Sequence, residues 1–201
     1  MAKDNNISVT QAHSKIAAPG GGLPTSERLL AKVALRIKCW QMTDEAAIDL
    51  LSKEAMQIGQ RVRSIKAPEG SRRILIKRVL GIEDNSRYWS LYMVLDHLNI
   101  VNQGIAGIID ALCTGNNRLQ AVQIADVKPD PTVSAETIEA FTSGVQYYKN
   151  KVKLLFPLRS TTTHIHPWFG SMNAHQWHCL AALHHGIHRR QIEKILKRLD
   201  Q

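Results

Sequence analysis

From residue 27 to residue 65 apolar side chains recur every three or four positions with no proline, the period of an amphipathic helix. Thr25 or Ser26 stands where an N-cap belongs. Thr43-Asp44-Glu45 is a second capping signal, so the stretch reads as two helices with a bend, ended by Ala67-Pro68-Glu69-Gly70. Residues 72–80 are short and basic and read at most as a further helix. A connection over 81–86 follows, in which Asn85 or Ser86 can cap a helix over 87–113 that stops at Thr114-Gly115-Asn116-Asn117. After a linker with Pro129 and Pro131, Ser134-Ala135-Glu136-Thr137 opens a helix reaching about residue 156, which Pro157 closes. Residues 159–171 read as a loop, and Asn173 caps a last helix over 174–199. Strand-like alternation is nowhere sustained. The pattern predicts an all-α chain with four major helical stretches, for which a bundle is the natural architecture. One domain spans 25–201 behind a tail over 1–24, expected to be mobile because it is polar and ends in Ala18-Pro19-Gly20-Gly21-Gly22-Leu23-Pro24.

Composition changes this picture little. Hydrophobic residues make up 44% and charged residues 21% of 201 positions, as in ordinary globular domains. No run reaches the roughly 18 apolar residues of a membrane span. The N-terminus lacks the apolar core of a secretory signal, which leaves a cytoplasmic protein as the expectation. Cys39, Cys113 and Cys179 form no CxxC pair and sit among apolar neighbours, so they read as buried thiols.

Charge adds a second feature. With 26 Lys+Arg against 17 Asp+Glu the chain carries +9. Arg61, Arg63, Lys66, Arg72, Arg73, Lys77 and Arg78 face only Glu69, and a second basic group lies over 189–198. Such a surface attracts nucleic acid or an anionic substrate, or is simply a solvated face. Nucleic-acid binding ranks last, because no recognised motif is present and aromatic residues are only 5%.

The histidines, nine in all, carry the candidate chemistry. At about 100° per residue, the last helix gathers Trp177, Leu180, Ala181, Ile187, Ile192, Ile195 and Leu199 on one stripe. His184 and His188 fall in the middle of it, His178 and His185 at its edge, and His175 points away. Residues i and i+4 stack on one face, so both imidazoles can reach one metal ion. They can equally be core histidines satisfied by hydrogen bonds. On the 87–113 helix His97 lies within the face made by Met93, Val94, Ile100, Val101, Ile105, Ile108 and Leu112. Facing helices of a bundle supply metal ligands in this way. Three neutral imidazoles, His97, His184 and His188, leave one coordination position open for water or substrate. Met93, Val101, Trp177 and Gln191 are expected to line that opening, Gly104 to make room beside it, and the 161–171 loop to cover it with Trp168 and Phe169.

The run from Arg87 to Leu98, with Trp89-Ser90 ahead of His97-Leu98, resembles the second-helix motif of the DinB/YfiT-like superfamily. The run from Leu183 to Ile192, where His184 and His188 precede Gln191 by seven and three residues, resembles its last-helix motif. Ile187 stands where many members carry a further histidine, and His185 is an extra. The likeness covers residues 88–102 and 166–196; residues 1–86 match loosely. It implies a four-helix bundle with an N-terminal extension, a divalent ion (zinc or nickel), often a homodimer, and in several members a low-molecular-weight thiol activated by the metal. The expected function is therefore a metal-dependent enzyme acting on a small molecule, a thiol-dependent transferase or a hydrolase. No general base is identifiable; Gln191 and the His164/His166 loop are the near candidates, and the basic 61–78 segment could hold an anionic part of the thiol. The alternative is a metal-binding or sensing protein without turnover.

Overall fold

The computed structural model describes residues 21–116 and 118–200. Among them are six α-helices: α1 Thr25–Gln41, α2 Asp44–Val62, α3 Ala67–Ser71, α4 Leu91–Thr114, α5 Thr137–Lys153 and α6 Ala174–Leu199. Two single-turn 3₁₀ helices, Asp84–Tyr88 and Ile124–Val127, and one two-stranded antiparallel hairpin complete the list. No described helix is long and apolar enough to cross a membrane.

Local chemistry sets most of the helix ends. The Thr43 hydroxyl accepts the Ala46 N–H and starts α2, which is the expected bend after α1. Asn173 and Gln176 form a reciprocal capping box at the start of α6. Gly115, with φ +76°, closes α4 in the left-handed conformation that glycine adopts without strain. The start of α4 differs from expectation. Ser90, not Asn85 or Ser86, is its cap, and Asp84–Tyr88 forms the 3₁₀ turn instead.

Residues 72–80 are not helical. Their backbone donors go to a neighbouring segment, Ile74 N–H to the Trp89 carbonyl and Ile76 N–H to that of Arg87. Those bonds satisfy the backbone from outside and let Ile76 and Val79 sink into the core. The 159–171 stretch is likewise not all loop. His164–His166 (β1) pairs with Gly170–Met172 (β2), with Ile165 opposite Ser171. Three-residue strands are too short to leave an alternation in the sequence. Of the expected tail, residues 1–20 lie outside the described residues. Its last part is fixed: Leu23 is buried, and the Gly22 N–H donates to Glu83.

The core has two ends. The N-terminal halves of α2 and α6 meet the C-terminal halves of α4 and α5 around Leu51, Ile109, Tyr148 and Trp177. At the other end the C-terminal part of α2 and α6 meets the start of α4 around Ile58, Leu95, Phe141 and Ile192. Helix α6 packs against α1, α2 and α4. It is therefore buried on more than its apolar stripe, and His178 and His185, expected at the stripe's edge, are fully buried. His185 donates from Nδ1 to the Ala181 carbonyl and accepts from the Asn102 amide; His178 accepts from the Tyr148 hydroxyl and donates to the Asp44 carbonyl. Both are satisfied core histidines.

Candidate metal centre

Near mid-bundle α4 presents His97 and α6 presents His184 and His188, one helical turn apart. Their side chains converge so that one ligating nitrogen from each lies within 4.8 Å of the others. The Nε2 atom of His184 is 3.2 Å from that of His97 and 3.0 Å from that of His188. Ligands about 2.0–2.1 Å from a tetrahedral zinc sit about 3.3 Å from one another, so the spacing fits one small cation.

The remaining ring nitrogens show which atoms are free to ligate. His97 Nδ1 lies 2.5 Å from the Val127 carbonyl, which only accepts, so this nitrogen carries the proton. His188 Nδ1 lies 2.7 Å from Gln191 Oε1. The Gln191 amide is oriented by its own N–H, which donates 2.8 Å to the Ser86 carbonyl, so His188 Nδ1 is protonated as well. Two Nε2 lone pairs therefore point at His184 Nε2, which can donate to only one of them. His184 Nδ1 is buried without a hydrogen-bond partner. In a neutral triad one lone pair must face another, whichever tautomer His184 adopts. A cation removes that conflict, because it takes all three lone pairs. This separates the triad from His178 and His185, which need no ion.

A proton does not serve as that cation. Burial pushes the His97 pKa down to about 4, with only partial offset from the Val127 carbonyl. Burial, and then the neighbouring histidines, hold His184 and His188 well below 6.5. All three are neutral near pH 7, the state a metal requires.

Beside the triad lies a cavity of about 310 Å³. Val101, Gly104, Ile105 and Ile108 line it from α4, and Trp177, Leu180 and Ile187 from α6. Trp168 and Phe169 of the hairpin line it as well. Of the four side chains named from the sequence as lining, Val101 and Trp177 are there and two are not. Met93 is buried in the core cluster at the other end of the bundle, and Gln191 is engaged behind His188. None of the seven basic residues between Arg61 and Arg78 lines the cavity. Arg78 is bound to Glu27, and Arg73 lies over the Tyr88 ring. The cation at the cavity is Lys128, paired with the buried Glu83 and 5.8 Å from the Trp89 ring centroid.

His166 lines the cavity and His164 does not. His166 Nδ1 accepts the Trp168 N–H at 3.0 Å, so the proton sits on Nε2 and the ring is a donor rather than a base. Burial lowers its pKa to about 4 and keeps it neutral. Sequence reasoning missed Glu83, Lys128 and the 122–127 segment, and named Trp89 only as part of the helix motif, not as a lining residue. Val127 acts through its carbonyl, which carries no side-chain signal at all. Comparison with protein-family models, with curated proteins and with solved structures finds no match to this chain.

Proposed function

We propose that this protein is a divalent-metal-dependent enzyme acting on a small, mostly apolar molecule, by thiol transfer or by hydrolysis. The observation that carries the reading is the convergence of three imidazole lone pairs at the edge of a 310 Å³ cavity. His97, His184 and His188 would hold the ion, zinc or nickel, and leave its remaining position facing the cavity. Bound there, the ion would supply Lewis-acid chemistry and lower the pKa of a thiol or water.

The protein's own groups do the rest. Val127 and Gln191 hold two of the imidazoles in the tautomer that ligates. Leu180, Ile105, Ile108, Trp177 and Phe169 exclude water and favour an apolar body. His166 Nε2–H offers a donor to an acceptor atom of the substrate. A cavity at the small end of the ligand-site range, about 300–1,000 Å³, suits a compact molecule with one donor head group. An ion fixed only for structure would have no use for such an opening, which favours turnover over inert binding.

The order of the helices supports the DinB/YfiT-like assignment. We read α2, α4, α5 and α6 as the bundle of that type, a reading supported by the core at one end, where the N-terminal halves of α2 and α6 meet the C-terminal halves of α4 and α5. The exposed apolar residues Leu29, Leu30, Val33, Ile37 and Trp40 on α1 offer the surface for the homodimer that the resemblance implies.

The test is metal analysis of the purified full-length protein, followed by a screen of thiols with electrophiles and of small esters and amides on the zinc- and nickel-loaded forms. Stoichiometric metal with turnover supports the proposal. Absence of metal binding by the wild type ends it, and metal without any turnover or ligand entry leaves the sensing alternative.

A further inference from the structure

The cavity wall is mostly apolar, and its fixed positive charge is confined to one corner. Among the described residues Lys128 is the only lysine or arginine that lines it. Its Nζ donates to Glu83 Oε2 and, at 3.0 Å, to Asn85 Oδ1. An ammonium carries three N–H donors, so one is left over. The Trp89 ring centroid lies 5.8 Å from Nζ, near the outer limit of about 6 Å for a cation–π contact. Asn85 Nδ2, in the same corner, is buried without an acceptor. Donors outnumber acceptors here.

Glu83 does not cancel the corner for a ligand. Its side chain is 4% exposed against 24% for Lys128, so the carboxylate lies behind the ammonium. The second Glu83 oxygen accepts the Gly22 N–H at 2.9 Å. The pair thus keeps Lys128 charged and in place. Asp126, the other acid in the lining, is exposed, where water and salt screen it. The corner also adjoins the histidines. The Trp89 ring lies 5.1 Å from that of His97 and stacks on His188 at 6.3 Å, and Val127, next to Lys128 in the chain, bonds His97.

We propose that the cavity receives a carboxylic acid with an apolar body, its carboxylate on Lys128 and its body against Val101, Ile105, Leu180 and Trp177. A hydrogen bond between ionised partners is about twice as strong as a neutral one, and the apolar wall strengthens it further. A neutral isostere fills the same space without that bond. The inference names the ligand class of the site proposed above. It rests on reading the cavity as a ligand site and not on the ion.

The experiment uses the full-length protein, freed of metal by dialysis against a chelator, and titrates it calorimetrically with 3-phenylpropanoate and with its amide. The wild type should bind the acid about tenfold more tightly than the amide. Lys128→Met combined with Glu83→Gln removes both charges and leaves no buried ion unpaired. That variant should bind the two compounds equally, with wild-type affinity for the amide. Lys128→Arg should keep the preference for the acid. Equal binding of acid and amide by the wild type, no binding of the acid, or a preference that survives the double substitution overturns the proposal. The wild-type comparison decides even if the double variant does not fold. Metal analysis of the same protein before dialysis reports on the ion separately, so failure of the metal centre and failure of the acid site are distinct results.

Discussion

Gln191 Oε1 accepts the His188 Nδ1 proton at 2.7 Å, and the same amide donates to the Ser86 carbonyl at 2.8 Å. One buried side chain thus joins the last helix to the turn before α4 and sets the tautomer of a candidate ligand. Partners of this kind are worth about 10–100-fold in metal affinity. Gln191→Ala should weaken zinc binding by about that factor, read by competition with a chromophoric chelator. His97→Ala, His184→Ala and His188→Ala should each abolish stoichiometric metal, while His175→Ala retains it. Wild-type metal content in all three ligand variants would rule out the centre.

Gly104 lies exposed at the mouth of the cavity, and a β-carbon added there meets nothing within 4 Å. Gly104→Ala should stabilise the folded chain by about 0.5–1 kcal/mol, since glycine within a helix costs conformational entropy. Gly104→Phe should project a ring into the opening and cut binding of an apolar fluorescent probe several-fold, with metal content unchanged. Probe binding equal to wild type would mean that the ligand enters elsewhere.

Acid should destabilise the metal-free protein, and His178 provides the clearest reading. Burial holds its folded pKa at about 4, against about 6.5 in the unfolded chain. Below pH 6.5 the unfolded chain therefore gains a proton that the folded chain refuses until about pH 4. Stability falls across that window by up to about 1.4 kcal/mol per pH unit for each such histidine. His175 has the opposite sign: its pKa is raised, so its contribution is present below 6.5 and lost as pH rises through the folded value. Urea unfolding at pH 7 and pH 5 should show a smaller loss for His178→Gln than for the wild type. Equal losses would remove His178 from this account.

The α1 stripe makes a prediction about assembly. Leu30 is 70% and Trp40 86% exposed. If the homodimer forms there, Leu30→Glu combined with Ile37→Glu should convert a dimer to a monomer in sedimentation equilibrium, with the helical circular dichroism kept. A wild-type monomer, or a dimer indifferent to both charges, places the surface elsewhere or removes the dimer.

The sequence by itself determined the helices and the pairing of His184 with His188. These depend on local periodicity and on caps such as Thr43 and Asn173, which act within one turn. An i,i+4 pair shares a face whatever surrounds it. His97 was legible for the same reason, as a histidine inside an apolar stripe. Tertiary structure decided the rest, because it depends on groups distant in the chain. Residues 72–80 are extended because residues 87 and 89 accept their N–H groups, and α4 starts at Ser90 because the turn before it is taken up in that pairing. His178 and His185 are core residues because α6 meets three helices rather than one. The Val127 carbonyl reaches His97 across a connection that periodicity does not describe, and His175 meets Asp44 and the Cys39 carbonyl only after α6 packs on α1 and α2. Short-range pattern selects helices and their faces; which face meets which partner is set by packing between segments that no local signal couples.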